Sequence, residues 1–167
     1  RGLVVSEMCI RDSCLHHLSD LIRGTVTEHF EIVRYGERIS MSIPLFAKLE
    51  AELRQPRNPI EEEMVALLER QIEAVRPTLV GFTAPFPGNL LAILRCAQYL
   101  KERHPDIRIA MGGGYPSTEL RTMTDKAIFR YIDYIILDDG ERPLERLLAG
   151  NDLLRTYARD GYHEGEA

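Results

Sequence analysis

The sequence predicts an α/β domain: a three-layer Rossmann-like (flavodoxin-like) parallel sheet with flanking helices, lacking its first strand. Three short apolar runs, at residues 77–83, 107–111 and 132–137, are typical of buried strands. Amphipathic helical segments separate these runs, and a turn rich in proline, glycine or aspartate follows each of them. Strands that alternate with helices in this way form parallel sheets that are covered on both faces.

Residues 4–13 show neither a helical nor a strand period. The codons ATG TGT ATA AGA GAC AG(T/C) encode residues 8–13 and match the mosaic end of a transposon-type sequencing adapter. The preceding codons also fit the adapter, apart from one base at Val5. We therefore predict that residues 1–13 are an adapter-derived, non-native segment and that the chain is a fragment truncated at both ends. A short native strand over residues 2–5 is the alternative.

The composition is that of an ordinary globular protein, with 44% hydrophobic and 28% charged residues. The formal net charge of −5 disfavours nucleic-acid partners, which usually require a basic surface. No apolar run reaches the roughly 20 residues of a membrane-spanning helix, and no signal segment opens the native part, so we expect a cytoplasmic protein without membrane partners. Outside residues 1–13 the cysteines are Cys14 and Cys96, both expected to be buried or half-buried free thiols.

Residues 14–75 are predicted to form a helical N-terminal part. One helix runs toward Gly24, a second stops before a proline, and a third begins at Asn58. Asn58 can cap this third helix, Pro59 suits its first position, and Glu61 stands where a capping box needs an acid. The apolar residues at helical spacing are, helix by helix, Leu15, Leu18, Leu21 and Ile22; Leu45, Phe46, Leu49 and Leu53; and Ile60, Met64, Leu67, Leu68, Ile72 and Val75.

Residues 76–158 are predicted to form the α/β core. The first two strands enclose a helix, which makes a βαβ unit with parallel strands and a right-handed crossover. A helical piece at residues 118–130 precedes the third strand, and a helix that ends at Gly150 follows it. A further strand is expected near residues 153–157, before a polar tail or linker at 159–167. The apolar stripes of the two longer helices are Leu90, Ile93, Leu94, Ala97 and Leu100, and Leu144, Leu147 and Leu148.

Three loops mark the carboxyl ends of the strands, where an open parallel sheet binds ligands. They read "TAPFP" from Thr83, "GGGY" from Gly112 and "DDGE" from Asp138. Three glycines allow a sharp turn or a close approach to a ligand, although a tight turn alone also explains them. The pattern is neither the dinucleotide fingerprint nor a P-loop. The acids of the third loop could hold a cation, but acids in the first turn of a helix also stabilise its positive end.

No catalytic set can be assembled from the sequence. His16 and His17 are adjacent on a helix and point in different directions, while His29, His104 and His163 are isolated. No spacing of histidines and cysteines is typical of a metal site. The chain therefore reads as a binding module without catalytic residues or metal ligands of its own.

The segment "PTLVGFT", followed by "IAMGGGYPST" and "ILDDGERPL", resembles the cobalamin-binding domain that precedes the catalytic barrel of radical S-adenosylmethionine enzymes. The resemblance covers about residues 76–148. It implies a Rossmann-like domain that holds cobalamin against the neighbouring barrel, with the nucleotide tail along the carboxyl edge of the sheet. It further implies that Thr83 hydrogen-bonds the tail and that Gly112 and Gly113 make room for it. The cofactor-binding residues implied are Thr83, Ala84, Pro85, Phe86, Gly112, Gly113, Gly114, Tyr115, Gly140 and Glu141.

Three motifs of such proteins differ or are absent. The third turn is "DDGE" where many relatives have "GEGE", and the D-x-H-x-x-G motif that supplies a lower histidine ligand to cobalt is missing. The C-x-x-x-C-x-x-C motif is also missing, so the resemblance places the 4Fe-4S cluster and S-adenosylmethionine in a downstream domain.

The resemblance thus implies a cobalamin-binding accessory domain of a radical S-adenosylmethionine enzyme, with methyl transfer as the candidate reaction, and not catalytic by itself. Its partners would be a corrinoid and the downstream barrel. The alternative is a scaffold or substrate-recognition domain of the same fold that binds no corrinoid, which the "DDGE" departure motivates. A free-standing flavodoxin-like or receiver-like module ranks last, because the lysine that a receiver needs is not found near the end of the chain.

Overall fold

A five-stranded mixed sheet organises the part of the chain described by the structure, a computed structural model covering residues 2–28, 46–122 and 125–165. The strand order is β1-β2-β3-β4-β5. Strands β1, β2 and β3 are parallel, β4 is antiparallel to β3, and β5 is antiparallel to β4. The predicted α/β class and parallel βαβ unit are confirmed. The strands are β1 (Leu79–Thr83), β2 (Arg108–Gly112), β3 (Tyr134–Ile136), β4 (Thr156–Ala158) and β5 (Gly161–His163).

Six helices accompany the sheet within the described residues: α1 (Gly2–Thr25), α2 (Phe46–Leu53), α3 (Pro59–Val75), α4 (Leu90–Arg103), α5 (Gly114–Glu119) and α6 (Glu141–Ala149). Short 3₁₀ turns cover Pro87–Asn89 and Lys126–Arg130. None of the described helices is long and apolar enough to span a membrane.

Three sequence-based expectations about these elements were wrong. Residues 2–5 belong to helix α1, so the alternative of a terminal strand fails, while the adapter origin of residues 1–13 stays a prediction. The helical piece at 118–130 is instead the end of α5 and a separate 3₁₀ turn, with residues 123 and 124 outside the described part. The supposed polar tail contributes β5, which pairs with β4 through a short turn.

The start of α3 is determined locally, as its residues predict. The Asn58 side chain accepts hydrogen bonds from the Ile60 and Glu61 amides at 3.0 and 3.1 Å. In return Glu61 Oε2 accepts from the Asn58 amide at 3.0 Å, which completes the capping box. The helix ends at Arg76, whose φ of 51° takes the chain into the left-handed region and out toward β1.

Most of the core lies on one face of the sheet, beneath α4. Helices α2 and α3 pack against α4 rather than against the strands. The predicted stripe of α4 is buried throughout, which confirms that prediction. Joined to it are inward-facing strand residues and the apolar ends of α2 and α3, namely Ile109, Met111, Ile135, Leu49, Leu53 and Ile72.

Helix α6 covers the opposite face, which gives the domain its three layers. Leu147 packs there with Ala110 and Ile136, while Leu79 is only partly buried against this cluster. Strand β1 was expected to be buried, but among the described strands it lies at the sheet edge, and Thr83 is exposed. An edge strand has a neighbour on one side only, so its residues remain accessible.

The predicted apolar stripes of α1, α3 and α6 are less buried than the sequence predicts. Residues expected in the core but exposed are Leu15, Leu18, Leu21, Leu67, Val75, Leu144 and Leu148. Leu45 and His29 lie outside the described residues. Cys96 is buried as expected, whereas Cys14 is exposed.

Candidate functional site

The carboxyl ends of the three parallel strands bring three loops to one edge of the sheet. Loop 1 is residues 84–86 after β1, loop 2 is Gly113 with the first turn of α5, and loop 3 is residues 137–140 after β3. Each loop is followed by a helical element, so the chain returns along a face of the sheet after each turn. The three loops therefore share one edge, as the sequence predicts, and ligand binding at this edge stays a prediction.

Loops 1 and 2 are joined directly by their backbones. The Ala84 amide donates to the Gly112 carbonyl at 2.8 Å, and the Tyr115 amide donates to the Ala84 carbonyl at 3.0 Å. Gly113 has a φ of 110°, and a Cβ atom there would lie 2.9 Å from the Ala84 oxygen. Gly113 therefore serves the contact between two protein loops, and a side chain there would be strained as well as crowded.

A surface with few side chains lies beside these loops, on the same face of the sheet as α6. It consists of Gly81, Thr83, Gly112 and Gly140, and we call it the Thr83 surface. Thr83 and Gly112 are register partners on adjacent strands, and Gly81 lies two residues before Thr83 on the same face. A Cβ atom built on Gly81 would meet nothing within 4 Å, so this part of the surface is open.

Ile136 lies next to the two other glycines of the Thr83 surface, Gly112 and Gly140. A Cβ atom on Gly112 would lie 3.8 Å from Ile136 Cβ, and one on Gly140 would lie 3.7 Å from Ile136 Cγ2. Both distances are ordinary van der Waals contacts, so a Cβ atom would fit at either position. The two glycines nevertheless keep the surface flat. The Thr83 hydroxyl is exposed and has no hydrogen-bond partner within the chain as described. It can donate or accept one from a bound molecule.

Loop 3 is held from the side by α5. The Asp138 amide donates to Ser117 Oγ at 2.8 Å, and the Asp138 carboxylate forms an ion pair with Arg121. Asp138 has a φ of 59°, an unfavourable region for a residue with a side chain. Since Arg121 engages this carboxylate, the structure offers no support for the cation site considered for Asp138, Asp139 and Glu141. The described residues contain no group of three metal-ligating side chains.

The ten residues implied by the resemblance fall into three groups. Thr83, Gly112 and Gly140 come together around Ile136 on the Thr83 surface. Ala84 and Tyr115 are 0% and 2% exposed and belong to the core on the other side of the sheet. The remaining five lie at the rim of the loops: Pro85, Gly114 and Glu141 are exposed, and Phe86 and Gly113 are half-buried.

Three residues at this edge were not predicted from the sequence. Gly81 was read only as part of a strand, although a glycine inside a strand is a recognised sign of close approach. Ser117 lies on α5 and Arg121 lies just after it, and their contacts with Asp138, 21 and 17 residues away, have no local signal.

Two tyrosines near this edge have raised pKa values. Burial, and then the negative charge of Glu119, raises the pKa of Tyr115, so its hydroxyl remains protonated at neutral pH. Burial likewise raises the pKa of Tyr162, with the hydrogen bond to Glu164 adding to the effect. Neither tyrosine is poised to exchange a proton near pH 7.

Two surface cavities lie away from the three loops. One, of about 320 Å³, lies along α6 and includes Arg142 and Asn151, and the other, of about 620 Å³, lies at the amino end of β2 and includes Arg108. Neither is lined by any of the ten residues considered above.

Comparison with known proteins addresses the same region. A family model described as the B12 binding domain matches residues 55–148, which is more than half of the chain. The match begins just after α2, ends one residue before the end of α6, and contains all three loops and the whole Thr83 surface. Comparison with curated proteins and with solved structures gives no match. The family match and the fold agree, and the chain belongs to the B12-binding domain family.

Proposed function

We propose that this chain is the cobalamin-binding accessory domain of a radical S-adenosylmethionine enzyme and that the corrinoid lies against the Thr83 surface. The observation that carries the proposal is the exposed hydroxyl of Thr83 beside Gly81 and Gly112, at the carboxyl edge of the sheet. The family match contains this edge, and the family is named for its ligand.

The residues present fit such a ligand. Gly81 faces open space, so a bulky group can approach the backbone of β1 without displacing a side chain. The Thr83 hydroxyl is available to hydrogen-bond a polar atom of the nucleotide tail. Leu79, which lies on the same face of β1 as Thr83 and is only partly buried, adds apolar surface, which suits the flat ring of the tail.

The role of this chain would be to bind and orient. Thr83 would fix the tail by a hydrogen bond, and Gly81, Gly112 and Gly140 would let it lie close to the sheet. Glu141 would stand at the rim. When bound, cobalamin supplies a cobalt centre that can carry a methyl group or an electron.

The radical-enzyme context rests on the ordered resemblance of three strand ends over residues 76–148. In that context a downstream barrel would bind the 4Fe-4S cluster and S-adenosylmethionine, and methyl transfer is the reaction we propose. The cytoplasm is the compartment that accords with this role.

The first experiment is a titration of the full chain with hydroxocobalamin, followed by absorbance and by calorimetry. We expect saturable binding in the micromolar range. Gly81→Val, whose Cβ atom would meet nothing within 4 Å, and Thr83→Val, which replaces the hydroxyl by a methyl group, should each weaken binding about tenfold. Arg108→Val, at an exposed position near the amino end of the same face, is the matched control and should bind like the parent chain.

A parent chain without saturable binding would contradict the proposal, and equal affinity in all variants would contradict the place of the ligand. Gly113→Leu is less suited to this test, because a side chain at that position would disturb the contact with Ala84 whether or not cobalamin binds.

One observation favours a second candidate, a scaffold that binds no corrinoid. Loops 1 and 2 are closed on each other by two backbone hydrogen bonds, and Gly113 is used in that contact. A domain of this kind would pack on the barrel and help to select substrate. Absence of any spectral change of hydroxocobalamin in the presence of the complete enzyme would support it.

A further inference from the structure

We propose that Ser117 is a positioning residue that joins loops 2 and 3. It thereby fixes the distance and orientation between Gly112 and Gly140, the two glycines next to Ile136. The inference rests on the proposed function, because it concerns the shape of the same cofactor surface. We call the set Ser117, Arg121 and Asp138 the loop clamp.

The hydroxyl of Ser117 makes two hydrogen bonds with opposite roles. It donates to the Gly113 carbonyl at 2.9 Å and accepts from the Asp138 amide at 2.8 Å. A hydroxyl has one proton to donate and lone pairs to accept, so one side chain satisfies a carbonyl of loop 2 and an amide of loop 3. No aliphatic side chain can replace either bond.

Asp138 needs this support because of its backbone conformation. At a φ of 59° it occupies the left-handed region, which costs energy for a residue with a Cβ atom and persists when the surroundings hold it. Without the bond to Ser117 the loop could relax toward a more favourable φ, and Gly140, two residues later, would shift with it.

Arg121 strengthens the same connection. Its Nε donates to the Ser117 carbonyl at 3.1 Å, and its Nη2 forms the ion pair with Asp138. The Tyr157 hydroxyl donates to the Arg121 carbonyl at 2.6 Å, which extends the clamp to β4. The side chains of Arg121 and Asp138 are 47% and 32% exposed, so water weakens the ion pair.

The clamp reaches loop 1 as well. Gly113, whose carbonyl accepts from Ser117, packs against Ala84 at the end of β1. Loops 1, 2 and 3 therefore form one connected unit around the Thr83 surface. Binding surfaces lose affinity when their parts shift by a fraction of an ångström, so a loosened loop 3 should weaken cofactor binding although Ser117 lies outside the Thr83 surface.

The test compares Ser117→Ala with Ser117→Thr, which keeps the hydroxyl. In the cofactor-free chain, hydrogen exchange at the Asp138 amide should be about tenfold faster in Ser117→Ala, as expected for one lost hydrogen bond, and close to the parent rate in Ser117→Thr. The dissociation constant for hydroxocobalamin should rise about tenfold in Ser117→Ala and recover in Ser117→Thr.

The two measurements separate the inference from the proposed function. Unchanged exchange at Asp138 in Ser117→Ala overturns the clamp, whatever the binding result. Faster exchange with unchanged affinity overturns the positioning role and leaves the proposed function standing. A parent chain that binds no hydroxocobalamin overturns the proposed function and the positioning role together, while exchange still decides whether the clamp exists.

A second variant guards against a Ser117→Ala chain that does not fold. Arg121→Met changes a half-exposed side chain and leaves the Ser117 hydroxyl in place. We expect the same direction in both measurements with a smaller size, about two- to threefold, because the ion pair is partly exposed. No change in either measurement for Arg121→Met would remove Arg121 from the clamp.

Discussion

Arg95 of α4 and Glu61 of α3 form a buried ion pair, with Arg95 Nε donating to Glu61 Oε1 at 2.9 Å. Their side chains are 2% and 13% exposed. The same guanidinium donates to the carbonyls of Leu53 and Glu52, the last turn of α2, at 2.7 and 2.9 Å. Because Glu61 also closes the capping box with Asn58, one pair of charges fixes the end of α2 and the start of α3 against α4.

We expect Arg95→Met to lower the free energy of unfolding by about 3 kcal/mol, since removing one partner of a buried ion pair leaves an uncompensated charge. It would also leave the Glu52 carbonyl without the donor that Arg95 provides. Urea denaturation measures the change. Arg54→Met is the control: the Arg54 side chain is 72% exposed in its pair with Glu50, so the loss should stay below about 1 kcal/mol. Equal losses in both variants would contradict the special role of Arg95.

Gly113→Ala should destabilise the chain by about 2 kcal/mol even without any cofactor, because the positive φ and the short approach to Ala84 both oppose a Cβ atom. Thermal or urea unfolding of the cofactor-free chain measures this loss. Gly88→Ala is a matched control, since a Cβ atom there would meet nothing within 4 Å and its φ is not positive. A stable Gly113→Ala chain would show that loops 1 and 2 can separate at little cost.

The sequence predicted those parts of the fold that short-range chemistry determines. The start of α3 follows from Asn58 and Glu61, three residues apart, and the buried stripe of α4 follows from its period and its position between two strands. The sequence could not show that Leu67 and Leu148 would be exposed. Hydrophobic periodicity shows which face of a helix is apolar, but not how much of that face the neighbouring elements cover.

Two further features could not be predicted from periodicity. Strand β5 consists of Gly161, Tyr162 and His163, which are too few to show apolar alternation, and it pairs with β4 across a short turn. The ten candidate site residues came from the resemblance to a family, and the sequence could not separate Thr83 on the open surface from Tyr115 in the core. That distinction depends on which sheet face each residue occupies.

Cys96 should resist alkylation in the folded chain, and Cys14 should react. Burial raises the pKa of the Cys96 thiol to about 11, so very little thiolate exists at pH 8, and the side chain is enclosed in α4. Cys14 is exposed on α1. Iodoacetamide labelling at pH 8 with peptide mapping reads the two sites separately from Cys9. Fast labelling of Cys96 without denaturant would indicate that α4 opens readily.

Glu69 should give the domain a component of stability that depends on pH. The hydrogen bond from His104, with Oε2 and Nε2 2.7 Å apart, is the main cause of the lowered pKa of Glu69, and Tyr99 and Arg103 lower it further. A carboxylate with a pKa below its ordinary 4.5 stabilises the folded state above that value, and this contribution is lost as the pH falls through the lowered pKa. The free energy of unfolding of the parent chain should therefore be higher than that of Glu69→Gln, and the difference should be larger at pH 6 than at pH 3.

Glu63→Gln is the control, because Glu63 pairs with Arg70 through side chains that are 68% and 64% exposed. A gap between the parent chain and Glu69→Gln that is the same at pH 3 and pH 6 would mean that the contact with His104 does not survive in solution.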